Sequence, residues 1–167
     1  MSKIEQRIIF ILAATVFILL IAVLLIGKDK DKSNIIAGSF SPPDFDKAAV
    51  VGTPIEAKSM SNYGTLNIAK GFIVSMCSSL SNINEKAEIW FTSNADNSVW
   101  VKLCIFDTDG NLLGESGLLK PGEYVQYIDI KNVPTNSEYV VAKILSYEPD
   151  TYYSLGSATA QINLTTN

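Results

Sequence analysis

The chain contains no histidine, and its single arginine is Arg7. The missing imidazole removes the commonest general base and the commonest metal ligand. The missing guanidinium removes the bidentate carboxylate clamp from everything after residue 7. A Ser-His-Asp or Cys-His arrangement cannot be assembled inside such a chain, so it reads as non-enzymatic, with no cofactor and no metal. Cysteine is almost as scarce, at Cys77 and Cys104 only. Two cysteines in an extracytoplasmic domain allow one disulfide. The strand pattern described below sets both opposite the main apolar face, which favours two unpaired thiols instead. Cations are also thin. From Ser33 onward there are 8 lysines against 14 acids, a net charge of −6. Phosphate backbones and anionic headgroups repel such a domain, so nucleic acid is excluded as a partner.

What the chain does have begins with one long apolar run. Every residue from Ile8 to Ile26 except Thr15 is apolar. As a helix those residues span about 28 Å, close to the hydrocarbon thickness of a bilayer. A secretory signal has a shorter run of about 7–15 residues and a small-x-small cleavage site soon after; here Ile35-Ile36-Ala37 is too distant and starts badly. The reading is a short tail over 1–7 and an uncleaved single-pass anchor over 8–27. Lys3 and Arg7 before the run nearly balance Lys28, Lys30 and Lys32 after it, so charge does not set orientation. The acidic C-terminal mass favours an extracytoplasmic domain at the cell membrane. Residues 28–58, with alternating Lys and Asp and then Pro42-Pro43, read as a stalk. Within it Ala48-Ala49-Val50-Val51 has an alternative as a docked edge strand.

From about Ser59 the pattern is β. Phe72, Val74 and Met76 alternate with Ile73, Ser75 and Cys77; Ala87, Ile89 and Phe91 alternate with Glu88 and Trp90. Val99, Val101, Leu103 and Ile105 form an unbroken apolar face opposite Trp100, Lys102, Cys104 and Phe106. Further strands are expected in "EYVQYIDIK", "EYVVAKILSY" and "SATAQINLTT". Period-2 alternation marks sheets buried on one face. Six or seven such strands over 59–167, with no helical periodicity, predict an all-β, antiparallel immunoglobulin-like sandwich.

Two stretches resemble chemistry. In "DTDGN" (107–111) a calcium loop needs a bidentate Glu six residues past the glycine, where Ser116 stands. Asp-Gly and Gly-Asn instead suit the positive φ of a hairpin turn. "GESG" (114–117) is one residue short of a nucleophile elbow, and no helix follows. It reads as a glycine-interrupted strand crossing between sheets. Pro121-Gly122 is a turn before a strand starting at Glu123. The stretch with most binding character is "YEPDTYYSLGS", a proline-broken, acidic, tyrosine-rich connection at a sandwich end. Tyr147, Glu148, Asp150, Tyr152 and Tyr153 are its candidate binding residues.

Taken together, "YGTL" (63–66), "VSMC" (74–77), "NSVWVKL" (97–103), "DGNLLGESGLLKPGEYVQ" (109–126) and "YEPDTYYSLGS" (147–157) resemble small single-pass membrane-anchored β-sandwich proteins of Gram-positive gut anaerobes. The likeness covers about residues 50–167 and implies location and architecture, not an activity. The function expected is display of the sandwich for protein–protein contact in the envelope. The alternatives are a self-associating subunit of a surface filament and a carbohydrate-binding module using the tyrosines.

Overall fold

A computed structural model describes residues 41–68, 71–83, 85–133 and 138–165. The anchor expected at 8–27 lies outside them. Among the described residues no helix is long and apolar enough to cross a membrane.

The elements in chain order are β1 (Val50–Val51), α1 (Ile55–Lys58), β2 (Tyr63–Ile68), β3 (Phe72–Cys77), β4 (Ser79–Ile83), β5 (Lys86–Ser93), β6 (Trp100–Phe106), β7 (Leu112–Glu115), β8 (Glu123–Asp129), β9 (Tyr139–Tyr147) and β10 (Ser154–Thr165). They make an all-β unit of two sheets. One runs β2-β3-β5-β8-β1 through antiparallel pairs. The other runs β4-β10-β9-β6-β7, antiparallel except for β4 on β10.

The alternation in the sequence sets the core. Phe72, Val74, Ile89 and Phe91 from the first sheet meet Val101, Leu103, Ile105, Val140, Ile144 and Ile162 from the second in one buried cluster. Burying each such side chain is worth about 1.5–3 kcal/mol. On β10 the small inward residues Ala158 and Ala160 are partly buried, while Thr159, Gln161 and Asn163 are exposed.

The hairpin between β6 and β7 is the turn expected at Asp107–Asn111. Asp107 Oδ1 accepts the Asp109 and Asn111 amides at 2.9 and 2.7 Å, and its Oδ2 accepts the Asn111 side-chain amide at 2.8 Å. Those bonds hold the Asp107 carboxyl below the usual carboxylate range, the Asn111 side chain contributing most. Gly110 takes φ 88° at the reversal. Ser116 is equally structural: its hydroxyl donates to the Gly117 carbonyl at 2.7 Å and accepts the Leu103 amide at 2.9 Å. It thereby serves as a ladder partner for β6 where the backbone departs. The crossing expected for this segment is real. Gly114 pairs with Ile105 in one direction and bridges to Ile130, just past β8, in the other.

The expectation of a stalk up to residue 58 gives way at Pro42, where the compact unit begins. Leu118 donates its amide to the Asp44 carbonyl and accepts the Asp46 amide, while Asp46 Oδ2 accepts the Gly117 amide at 2.8 Å. Val50 and Val51 then pair with Tyr124 and Glu123, the docked-strand alternative. Finally α1 places Ala57 against Cys77 and Trp90 on the outer face of the first sheet. Composition made this segment look solvated because its contacts are mainly backbone bonds, which carry no side-chain signature.

Candidate functional site

The Tyr147–Ser157 connection is the tip of the β9–β10 hairpin, and its shape is set by its own polar groups. The Glu148 amide donates to the Tyr153 carbonyl at 2.9 Å, and the Tyr152 amide to the Glu148 carbonyl at 3.0 Å. Thr151 Oγ1 donates to Glu148 Oε2 at 2.6 Å. Asp150 and Tyr152 sit at φ 69° and 58°, the left-handed region that side chains seldom occupy. That cost is offset by placement. The Tyr152 ring meets Trp100 edge-on at 5.0 Å, and Trp100 meets Phe45 edge-on at 4.8 Å. The Lys120 ammonium lies 4.7 Å from the Phe45 ring centre. Edge-to-face pairs at such spacing add about 0.5–1.5 kcal/mol each.

The five candidate residues therefore separate. Tyr147 ends β9 opposite Trp100, and burial pushes its hydroxyl pKa up. Tyr152 joins the aromatic row. Glu148 is engaged inside the turn, and Asp150 is exposed beside it. Tyr153, at 74% exposure, projects with Leu155, at 46%. Two members of the row were missed in the sequence: Phe45, assigned to the stalk, and Lys120, assigned to a turn. Neither has a local signal, because the bridge from Phe45 to Leu118 joins segments far apart in the chain.

This end continues onto the outer face of the second sheet. Trp100 pairs with Tyr147, Lys102 with Leu145, Cys104 with Lys143 and Phe106 with Val141. All are half-buried except Cys104, which is buried. Lys102 Nζ reaches Glu115 Oε1 at 2.8 Å with only 12% of its side chain exposed, so its stem covers apolar surface while its charge is paired. On this face Phe45 and Tyr152 pack against Trp100, and Glu115 meets Lys102 and Cys104. The outer face of the first sheet differs. There Ala57, Met60, Tyr63 and Tyr124 enclose Cys77 and Trp90, and Trp90 and Tyr124 stack at 5.9 Å. Trp90 sits at a register slip between Glu88 and Phe91 with φ 51°, its indole N–H donating to Glu88 at 3.0 Å.

Cys77 and Cys104 are free, buried thiols on different sheets, so the disulfide weighed from the sequence is not formed. Each is pushed up to about 11, in both cases chiefly by burial. The folded protein thus holds both protons where an unfolded chain, with thiols near pKa 8.5, releases them. The stability from this source is complete below about pH 8.5 and is lost as pH rises toward 11. Tyr147 acts in the same sense. A thiol reagent at pH 8 is expected to label neither cysteine until urea unfolds the protein. The fall in urea midpoint between pH 7.5 and 10 should shrink in Cys77→Ala. Labelling of either thiol in the folded protein would contradict their burial.

Among the described residues no cluster of three His, Cys, Asp or Glu side chains is placed to hold a metal ion. No protein-family model, curated protein or solved structure matches the chain.

Proposed function

We propose that the chain is a non-enzymatic, membrane-anchored envelope protein that presents an immunoglobulin-like sandwich for contact with another protein. The strand order supports the fold assignment. β5 neighbours β8 in one sheet, and β6, β9 and β10 lie together in the other, the B–E and C–F–G arrangement of that architecture. β3 and β4 then act as one first strand divided between the sheets, its second part parallel to the last strand. The apolar run at 8–26 supports the anchor, and the acidic balance supports an outward-facing domain.

The observation that carries the contact surface is the asymmetry of the two outer faces. One is covered by the chain's own strap. The other leaves Trp100, Tyr147, Leu145, Phe106 and Val141 half-buried and leads directly to Tyr153 and Leu155. Aromatic residues on a rigid sheet face favour a protein partner, since they lose little side-chain entropy on binding. A sugar platform is less well served. Tyr152 is half-buried against Trp100, which leaves Tyr153 as the loop's one largely exposed ring.

The test is photo-crosslinking of the full chain in its native membrane. A photoreactive residue at Tyr147 or Tyr153 should give the same discrete protein adduct, and one at Ile55, exposed on the opposite side, should not. Trp100→Ala should abolish the adduct. Adducts from all three positions alike, or from none, refute the proposed face. A glycan-array signal lost in Tyr152→Ala with Tyr153→Ala would favour the carbohydrate reading instead.

A further inference from the structure

A lysine that lays its stem along apolar surface keeps its charge in water or pairs it, because a partly desolvated ammonium without a counter-charge is costly. Among the described residues Lys47, Lys58, Lys86, Lys120 and Lys131 are exposed, and only Lys102 and Lys143 are half-buried. Both belong to the outer face of the second sheet. Cys104 pairs with Lys143 and Lys102 with Leu145, which makes the two lysines diagonal neighbours on adjacent strands.

Their situations differ. Lys102 Nζ has Glu115 Oε1 at 2.8 Å, and the other oxygen of that carboxylate accepts the Cys104 thiol at 3.7 Å. Lys143 has no ion pair among the described residues. Its own surroundings offer none, since β6, β9 and β10 contain no aspartate or glutamate. Val141 and Leu145, half-buried, flank it along β9, and Thr159 lies opposite it on β10. Two ammoniums and one carboxylate leave this patch positive, in a domain whose net charge is −6.

From this we infer that Lys143 is the charged anchor of the second-sheet face, and that another protein presents a single carboxylate to it from an otherwise apolar surface. The inference rests on the proposed use of this face for protein contact and adds the chemistry that the partner carries. The unpaired ammonium sets the sign. The surroundings set the form. Glu148 and Asp150 are exposed at the hairpin tip beside this face, so a run of carboxylates or phosphates is repelled where one carboxylate is not. A second copy of this acidic chain meets the same repulsion. The apolar neighbours of that one carboxylate then cover Val141, Leu145 and Phe106, and in that drier setting the pair gains strength.

Carbodiimide coupling, which joins an amine directly to a carboxylate in contact with it, tests the inference. Applied to the full chain in native membranes, it should give a discrete adduct with another protein whose new amide maps to Lys143. Lys143→Arg keeps the charge but cannot couple, so it should lose that adduct and retain the photo-adduct formed from position 153. Lys143→Met should cut the photo-adduct yield roughly tenfold, and Lys143→Glu should remove it. Lys58→Glu makes the same change in net charge on the strap over the first sheet and should leave the yield unchanged. The Lys143→Met protein should melt no lower than wild type, because the charge it loses is unpaired in the fold. If Lys143→Glu does not fold, Lys143→Met decides. A yield undiminished in Lys143→Met, a loss equally large in Lys58→Glu, coupling to a second copy of the chain, or a Lys143→Met protein melting well below wild type overturns the inference and leaves the proposed face standing. Absence of any photo-adduct from the unaltered lysine refutes the face itself, and the inference with it.

Discussion

Gly114→Ala is expected to lower the melting temperature by about 10–15 °C, corresponding to roughly 3–4 kcal/mol. A Cβ at this position stands 2.2 Å from the Asp129 carbonyl oxygen and 2.9 Å from Ile130 Cγ2. The first neighbour is backbone, so no rotamer change relieves the clash. β7 must instead leave the end of β8, breaking the Lys131 to Leu113 hydrogen bond and exposing Leu113, now buried. The bridge from Gly114 to Ile130 is lost with it. Gly110→Val is the informative comparison. Its Cβ meets nothing within 4 Å, and the penalty lies only in φ 88°, about 1–2 kcal/mol. Far-ultraviolet circular dichroism melts of the two variants and wild type measure both. A Gly114→Ala protein melting like wild type would show that β7 does not close against β8.

Phe91→Ala is expected to cost about 3–5 kcal/mol, enough to unfold much of a domain whose total stability lies in the ordinary range. Phe91 is completely buried and sits opposite Val125, one residue after the register slip at Trp90. Val74, Val101, Ile144 and Ile162 belong to the same cluster. Neighbours fixed in two hydrogen-bonded sheets cannot collapse into the space, so the cavity term is retained along with the lost transfer energy. Tyr153→Ala removes a ring of similar size from the surface and should leave the urea midpoint unchanged. If Phe91→Ala unfolds at the wild-type midpoint, the packing of the two sheets through this ring is wrong.

Much of the fold was legible because period-2 alternation is a local property. Val99–Ile105 announces which of its residues face inward, and Asp107 with Gly110 announces a reversal, without reference to any other segment. The crossing strand at Gly114 could be read from glycine spacing, although what it approaches could not. The site was legible only in part. Tyr147, Tyr152 and Tyr153 stood out by composition, yet nothing local says that Tyr152 abuts Trp100 while Tyr153 projects. Phe45 and Lys120 gave no signal, since their role depends on a backbone bridge between residues 45 and 118. Asn97 was also missed: its side chain accepts the Ile73 amide at 2.7 Å and donates to the Ile73 carbonyl at 2.8 Å, standing in for a strand.

By itself the sequence determined the β class, the inward set of each strand, the turns at Gly110 and Gly122, and the lack of imidazole chemistry. These follow from near-neighbour sterics and side-chain alternation, which act over a few residues. Only the tertiary structure decided that residues 42–58 wrap the domain, that the two thiols stay apart on different sheets, and that Ala57, Met60, Tyr63 and Tyr124 enclose one outer face while the other carries the Trp100 row. Each of those depends on which backbone groups, distant in the chain, find one another, and backbone groups are alike in every residue but proline.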